Sequence, residues 1–329
     1  MDAFSDVLNV VSLTGGVFLN AEFTAPWCVV TPPRSAMTAA LAPAAGSLVL
    51  YHFVVEGGCW IAVDGHPPAR VEAGQLVMIP GGDSHLLGSA LEIAPVQIGS
   101  ILRPPAPGEV VRLAHGGGGE ATRIVCGFLT CDSRAGNPLA GALPPLVSLA
   151  VRGTPWGKWI ESTLAFAAQE TEASRTGSVS VLAKLSELLF VEAVRRYVES
   201  LPPAATGWLA GLCDPYVGRA LGLIHAQPAG DWTVENLGRR IGLSRSALAE
   251  RFTALVGKPP MQYLARWRLQ LAARELRAGK RGIARIAEEV GYGSEASFSR
   301  AFKREFGVPP NAWRRAPADA ARNAPPSSA

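Results

Sequence analysis

The sequence lacks a hydrophobic run that is long and unbroken enough to cross a membrane as a helix. The best candidate, residues 36–55, contains Pro43, Gly46 and His52. The N-terminal residues 1–6 have no basic region ahead of an apolar stretch, so we expect no signal peptide. These absences predict a cytoplasmic protein with no membrane partner.

Cysteine is also scarce, with five in 329 residues. In a cytoplasmic protein, cysteines are expected to be free thiols or ligands before they are structural disulfides. The five are Cys28, Cys59, Cys126, Cys131 and Cys213.

Positive charge is concentrated at the C-terminal end, although the whole chain carries only +4. From residue 214 onward there are 19 Lys and Arg against 10 Asp and Glu, a net charge of +9. The first 213 residues carry 12 against 17, a net charge of −5. This segregation predicts a phosphate-binding surface at the C-terminal end.

The basic region contains one unit written twice at an offset of 50 residues. The run 244–252 aligns with the run 294–302, and each begins with serine and ends with phenylalanine. The residues that follow align as well: Gly257, Pro259, Pro260 and Tyr263 fall on Gly307, Pro309, Pro310 and Trp313. Matches at a fixed offset indicate a duplicated supersecondary unit.

Each copy has the parts of a helix-turn-helix. In the first copy Thr233 is a predicted N-cap, residues 242–243 are the turn, and Ser244 caps a second helix that Gly257 ends. The second copy repeats this order, with its turn at residues 291–293.

The second helix of each copy has an apolar face and an opposite face that can enter a major groove. The apolar positions are Leu248, Phe252, Leu255, Phe298, Phe302 and Phe306. The predicted DNA-binding residues are Arg245, Ser246, Ala249, Glu250, Arg251 and Thr253 in the first copy, and Glu295, Ala296, Ser299, Arg300, Lys303 and Arg304 in the second.

The second copy is predicted to be the more cationic reader. Arg300 can bind guanine O6 and N7 bidentately, with a phosphate contact as the alternative. Lys303 and Arg304 suit phosphates.

The first copy is chemically milder. Ser246 can contact several bases, and Ala249 can pack on a thymine methyl group. Glu250 can accept a hydrogen bond from cytosine N4 or, alternatively, pair with a neighbouring arginine. Arg245 and Arg251 flank the helix and are expected to contact the DNA backbone.

The connector between the copies, residues 261–277, has an unbroken helical pattern. About 17 residues at ~1.5 Å each form a rod of roughly 25 Å. With the widths of the two units added, the recognition helices are predicted to lie near the ~34 Å that separates successive major-groove faces.

Residues 231–315 resemble the DNA-binding domain of the AraC-type transcription regulators. The similarity lies in the runs 286–292 and 298–303 and in the spacing of the two copies. It implies a DNA-binding regulator that works as a homodimer. It also implies an alternative in which Cys126 and Cys131 act as a redox switch, although thiol reactivity requires exposure and a lowered pKa.

Residues 17–130 contain short β-rich runs between Gly- and Pro-containing turns, including 47–55, 59–63 and 76–79. This spacing predicts an antiparallel barrel or sandwich. Gly74, Pro80, Gly82 and His85 resemble the second sequence motif of the cupin barrels, and Gly46 with His52 resembles the start of the first motif.

Cupins use two histidines, a glutamate and a further histidine as metal ligands. At the matching positions His52 and His85 are kept, Val54 replaces the second histidine, and Cys59 takes the place of the glutamate. His52, Cys59 and His85 can hold Zn²⁺ with one open position. The alternative is a pair of hydrogen-bonded core histidines beside a small apolar cysteine.

A small-molecule pocket is the second use predicted for the barrel, with Trp27, Phe53, Trp60 and Met78 as its lining. The alternative is that these side chains only fill the barrel.

Residues 179–201 are predicted to form a helix with a broad apolar stripe, which suits either a dimer contact or packing within the chain.

The predicted fold is a multidomain α+β protein. Residues 1–135 form a cupin-like sensor barrel, residues 136–206 a helical dimerisation segment and linker, residues 207–316 an all-α double helix-turn-helix domain, and residues 317–329 a disordered tail. The predicted partners are double-stranded DNA, a small-molecule effector, a second copy of the chain and, for an activator, RNA polymerase. A metal-dependent cupin enzyme fused to a DNA-binding domain is the competing hypothesis.

Overall fold

The structure is a computed structural model of the 329-residue chain. It describes residues 3–10, 13–41, 47–102, 110–131, 141–151, 153, 156–160, 162–163, 166, 177–279 and 281–315. Contacts divide the chain into two compact units. The sheet unit comprises Leu13–Asp132 and Leu143–Glu199, and the helical unit comprises Met1–Ser12, Ser133–Ala142 and Ser200–Ala329.

The described helices and strands, numbered along the chain, agree with the predicted α+β class. The helices are α1 Ala3–Val10, α2 Arg34–Leu41, α3 Ile98–Ile101, α4 Ser178–Glu199, α5 Trp208–Cys213, α6 Val217–Ala226, α7 Val234–Ile241, α8 Arg245–Val256, α9 Pro260–Ala278, α10 Ile283–Glu289, α11 Glu295–Phe306 and α12 Pro310–Arg315. The strands are β1 Leu13–Thr24, β2 Cys28–Val30, β3 Ser47–Glu56, β4 Gly58–Val63, β5 Ala69–Glu72, β6 Gln75–Ile79, β7 His85–Gly88, β8 Val96–Gln97, β9 Val111–Gly116, β10 Ala121–Cys131 and β11 Val147–Ala150.

The sheet unit consists of two sheets that share one hydrophobic core. The six-stranded sheet has the order β11-β6-β3-β10-β1-β9, and the five-stranded sheet has the order β5-β4-β7-β2-β8. Most neighbouring strands are antiparallel, while β1–β9 and β2–β8 are parallel pairs. The three β-rich runs chosen from the sequence are confirmed as β3, β4 and β6.

Helix α4 packs against β1 of the six-stranded sheet. The hydroxyl groups of Tyr51 on β3 and Ser186 on α4 are hydrogen-bonded at 3.0 Å. A Cβ atom on Gly15 would lie 2.9 Å from the Cβ of Ser186, so glycine lets the strand and the helix approach closely. The helix expected in a separate segment, residues 136–206, therefore belongs with the sheets, while α1 groups with the helical unit.

The helical unit confirms the caps predicted for both helix-turn-helix copies. Thr233 and Asn236 form a reciprocal capping box on α7, with N···O distances of 3.0 and 3.1 Å. Ser244 and Ser294 each accept a hydrogen bond from a backbone N–H of the first turn, at 3.2 Å. Gly257, with a φ of 77°, ends α8, and the equivalent glycine ends α11.

A hydrogen-bonded aromatic cluster joins the first helix-turn-helix to its supporting helices. The indole N–H of Trp208 donates to the Tyr263 hydroxyl at 2.9 Å, and the same hydroxyl is hydrogen-bonded to Nε2 of His225 at 2.8 Å. The His225 ring also stacks on Trp267, with centroids 4.1 Å apart. Burial lowers the pKa of His225 to about 3, so the ring is neutral.

Replacing His225 tests the acid sensitivity of the helical unit. Because its pKa is about 3 when folded and 6.5 ordinarily, the unfolded chain binds the proton preferentially as the pH falls below about 6.5. We expect the free energy of unfolding of this unit to fall by roughly 2 kcal/mol from pH 7 to pH 5, and by much less in His225→Leu.

Denaturant titration followed by tryptophan fluorescence measures the difference, since Trp267 contacts the ring. The control His66→Gln replaces an exposed histidine of the sheet unit and should keep the wild-type dependence. An unchanged pH dependence in His225→Leu would contradict the assignment.

Candidate nucleic-acid interface and sensor core

The recognition helices α8 and α11 turn their apolar sides inward. Leu248 and Phe252 are fully buried on α8, as are Phe298 and Phe302 on α11. Leu255, predicted to be apolar core, is partly buried.

The twelve predicted DNA-binding residues are all exposed or partly exposed. Those with partial exposure are Ala249 and Ser299, which lie closer to the helix-turn-helix cores. The two copies therefore present corresponding surfaces, and base contacts by these residues stay a prediction.

Arg251 is engaged within the protein. Its guanidinium group donates three hydrogen bonds to the Asp214 carboxylate at 2.6–3.1 Å, and it lies over the Tyr216 ring at 5.4 Å. The Asp214 carboxylate also accepts from the backbone N–H groups of Tyr216 and Val217, at 3.0 and 2.9 Å, at the start of α6. Arg251 therefore holds the start of α6 against α8, and a contact between Arg251 and the DNA backbone stays a prediction that this ion pair disfavours.

Electrostatics agree with this role of Asp214. Burial alone would raise the pKa of the Asp214 carboxyl, but the hydrogen bonds from Arg251 and from the N-terminus of α6 outweigh it and lower the pKa. The same contact raises the pKa of Arg251. Both groups are therefore ionised. The Asp214 carboxylate neutralises the positive charge of Arg251, which was expected to face a phosphate.

Helix α11 differs because its outward cations are not used in this way. Arg300 and Lys303 have no ion pair or hydrogen-bond partner for their side chains within the described residues. Nearby cations do have partners: Arg266 donates to Glu305 at 2.7 Å, and Arg285 donates to Glu289 at 2.9 Å. Arg245 on α8 likewise has no ion pair or hydrogen-bond partner within the described residues, so two such cations lie on α11 and one on α8.

The carboxylates of the recognition helices are also unpaired. Neither Glu250 nor Glu295 forms an ion pair with the described residues, so the alternative of a Glu250–arginine pair is not realised. Thr253 uses its hydroxyl to donate to the Ala249 carbonyl at 2.6 Å, which leaves its oxygen free to accept.

In the sheet unit, a chain of hydrogen bonds crosses the core between the two sheets. Cys126 Sγ lies 2.9 Å from His52 Nδ1, and His52 Nε2 lies 2.8 Å from His85 Nε2. His85 Nδ1 donates to the Asp83 carbonyl at 2.9 Å, and Thr31 accepts from the His85 backbone N–H at 2.9 Å. No motif in the sequence indicates Thr31 or Asp83, because their hydrogen bonds to His85 depend on tertiary contacts.

The Asp83 carbonyl fixes the direction of every proton in this chain, because a carbonyl only accepts. His85 then carries its proton on Nδ1, and its bare Nε2 accepts from His52 Nε2–H. The bare His52 Nδ1 accepts from the Cys126 thiol. Burial, with His85 adding to it, lowers the pKa of His52 far below its ordinary value, and burial also lowers that of His85, so both rings are neutral.

The predicted zinc site at His52, Cys59 and His85 does not fit this arrangement. The two imidazoles share a hydrogen bond through the nitrogens that would face a metal ion, and their other nitrogens are engaged. The part of the chain that the structure describes contains no group of three His, Cys, Asp or Glu side chains placed to hold a metal. The alternative of core histidines beside a small apolar cysteine matches these contacts, and Cys59 lies in the core cluster.

The four residues predicted to line a pocket are not brought together. Trp27 is buried in the core between the sheets, stacked on Phe23 at 4.1 Å. Phe53 and Met78 alternate with core-facing residues of β3 and β6, so they face the other side of the six-stranded sheet. Trp60 is 37% exposed on β4. The period-two alternation of side chains along a strand separates these four residues, so they do not line one common surface.

The cysteine pair offers no support for a redox switch. Burial, with Cys59 nearby, raises the pKa of the Cys126 thiol above its usual value, which disfavours the reactive thiolate. The side chain of Cys131 lies outside the described residues.

The capped double helix-turn-helix and the preceding two-sheet unit define a DNA-binding transcription regulator with an N-terminal cupin domain. A cupin family model matches residues 2–199, and a helix-turn-helix domain model matches residues 237–316. The chain belongs to the AraC-like transcription regulators, since it is 37% identical to such a regulator of Streptomyces lividans over 319 residues, 96% of this chain and 99% of that protein.

Two further relatives agree with this family. An AraC-like transcription regulator of Streptomyces antibioticus is 34% identical over 318 residues, which covers 96% of this chain and 99% of its own length. The transcriptional regulator AlkR of Acinetobacter baylyi is 28% identical with the same coverage. No helix among the described residues has the length and hydropathy needed to span a bilayer.

Two substitutions distinguish a cation that holds the fold from one that faces DNA. Lys303→Ala should flatten the plot of log affinity against log salt concentration by about one unit, because one phosphate contact is lost. Arg251→Ala should leave that slope unchanged and lower the unfolding temperature, because Asp214 loses its ion-pair partner. Fluorescence anisotropy over a salt series and thermal unfolding measure the two effects. A flatter slope for Arg251→Ala would show that this residue contacts phosphate after all.

Proposed function

We propose that this chain is a homodimeric, effector-responsive regulator that places α8 and α11 in two successive major grooves on one face of a duplex. The observation that carries the proposal is the surface of α11, where exposed Arg300 and Lys303 are free of internal partners in the described structure. Free guanidinium and ammonium groups beside a capped helix suit guanine and phosphate.

The two grooves are proposed to be read unequally. Arg251 on α8 is neutralised by Asp214, so the first copy contributes Arg245 to the DNA backbone and Ser246, Ala249 and Thr253 to uncharged contacts with base edges. The connector α9 has 19 residues, or about 28 Å at ~1.5 Å each, which matches a spacing of one helical turn of DNA once the helix-turn-helix widths are added.

The cupin domain is proposed to be the sensor. The support is the order of the domains, because a cupin domain at residues 2–199 precedes the helix-turn-helix domain at residues 237–316. The competing enzyme hypothesis is disfavoured by donor chemistry, because Val54 and Cys59 occupy positions where oxygen or isomerase chemistry commonly needs hard ligands. The relatives are named as regulators, so we propose no enzymatic activity.

Dimerisation is proposed to use the outer stripe of α4. Leu188 is 51% exposed and Val181 is 37% exposed, and their spacing of seven residues places them on one side of the helix.

If the regulator is an activator, RNA polymerase is proposed to be its second protein partner. Mapping the genomic sites of the full-length protein tests the regulatory role, and the neighbouring genes indicate the chemistry of the effector.

Arg300→Ala tests base reading by α11. We expect a loss of about 1–3 kcal/mol on the preferred duplex and relaxed discrimination at one base position, because a bidentate contact to guanine is lost. Selection from a random duplex library, followed by affinity measurements, reports both changes. The matched control is Arg285→Ala, whose guanidinium pairs with Glu289 outside the recognition helices. An equal loss of affinity on specific and random duplexes would show that Arg300 contacts phosphate and not a base.

Leu188→Glu tests the dimer surface. A charge in the middle of an apolar contact is expected to halve the molar mass measured by multi-angle light scattering at micromolar concentration. Asp64→Lys is the control, because Asp64 is exposed in the turn after β4 of the five-stranded sheet and its charge is reversed. A monomeric wild type, or a dimeric Leu188→Glu variant, would remove α4 from the interface.

A further inference from the structure

Arg268, in the middle of α9, binds three backbone carbonyl groups at once. Its Nε donates to Pro228 at 2.6 Å, its Nη2 donates to Gly230 at 2.8 Å, and its Nη1 donates to Gly291 at 2.9 Å. The guanidinium group is half-buried, and burial lowers its pKa from the ordinary value, but arginine keeps its charge in proteins.

The three carbonyls belong to different helix-turn-helix copies. Pro228 and Gly230 lie in the loop that leads into α7, the first helix of the first copy. This loop is folded on itself, since Trp232 donates from its indole to the Gln227 carbonyl at 2.8 Å and from its backbone to Gly230 at 2.7 Å. Gly291 is the turn of the second copy. Arg268 therefore links the entrance of one copy to the turn of the other.

The two copies also touch directly at this point. A Cβ atom on Gly291 would lie 2.8 Å from the Ala229 Cα and 2.9 Å from Arg268 Cζ. Gly291 also has a φ of 87°, in the region that favours glycine. The turn of the second copy can thus reach the loop of the first only because no side chain intervenes.

Only arginine can make this link. Its planar guanidinium carries five N–H donors in a fixed fork, so three acceptors in different directions are satisfied together. A lysine ammonium is a single point on a flexible stem and cannot reach three carbonyls that surround a guanidinium. The backbone carbonyls left without a donor would then have to turn toward water.

We propose that Arg268 is a positioning residue that fixes the angle between the two helix-turn-helix copies and thereby the spacing at which α8 and α11 meet successive major grooves. It acts through the rigid body and touches no base. The inference rests on the proposed binding of two successive major grooves, and it adds the residue that sets the spacing between the two recognition helices. DNA binding by either copy alone does not depend on this link, whereas simultaneous binding by both does.

Full-length Arg268→Lys is tested on three probes. The first is the duplex that the wild type selects from a random library, the second is that duplex with one half of the protomer's site scrambled, and the third carries one extra base pair between the halves. We expect at least a tenfold loss of affinity on the first probe and less than about a threefold change on the second. The penalty for the extra base pair should shrink relative to the wild type, because a loosened joint tolerates altered spacing.

Arg266→Lys is the matched control, since Arg266 lies on the same helix and pairs with Glu305 of the second copy alone. It should keep its affinity for the first probe within about threefold. Gly291→Ala disturbs the same contact, because the added methyl group would lie 2.8 Å from the Ala229 Cα, but it also strains the turn of the second copy, so only its spacing penalty is compared. Full affinity of Arg268→Lys on the first probe, or an equal loss on the first and second probes, would overturn the proposal. So would an unaltered spacing penalty in both Arg268→Lys and Gly291→Ala.

Discussion

The helical unit depends on the packing of both helix-turn-helix copies onto one continuous helix. The first half of α9 supplies Tyr263, which meets Phe252 edge-on at 5.8 Å, and Trp267, which stacks on His225. The second half supplies Leu269 and Leu276 to the core that surrounds α11. Because close-packed side chains resist sliding, the two recognition helices are held in a fixed relative position and are not joined by a flexible linker.

The cationic side chains of the helical unit fall into two groups: some stabilise the fold, and others are left available for DNA. Arg251 and Arg268 both lie in the basic region that composition alone assigns to phosphate, yet the structure uses one for a carboxylate and the other for backbone carbonyls. Net charge therefore locates a DNA-binding domain but overstates its contact surface. Arg300 and Lys303, which have no internal partners among the described residues, mark where that surface lies on α11, and Arg245 does the same on α8.

The predictable features were those written locally in the sequence. Caps such as Ser244 and Ser294, the helical period of α8 and α11, and the duplicated order of turns all depend on residues a few positions apart. The Arg251–Asp214 pair joins residues 37 positions apart, and Arg268 reaches Pro228 over 40. No periodicity encodes such contacts, so sequence reasoning assigned Arg251 to DNA and passed over Arg268.

The sheet unit shows the same limit in another form, since the identity of its strands was predictable and the direction of their side chains was not. A shift of β3 by one residue would turn Tyr51 or Phe53 inward in place of His52. His85 Nε2 and the Cys126 thiol would then lose their shared partner inside a core where unmade hydrogen bonds are costly. The buried polar chain therefore specifies the register that hydrophobicity alone leaves open, because residues 48–54 of β3 are apolar on both faces apart from His52 and the Tyr51 hydroxyl.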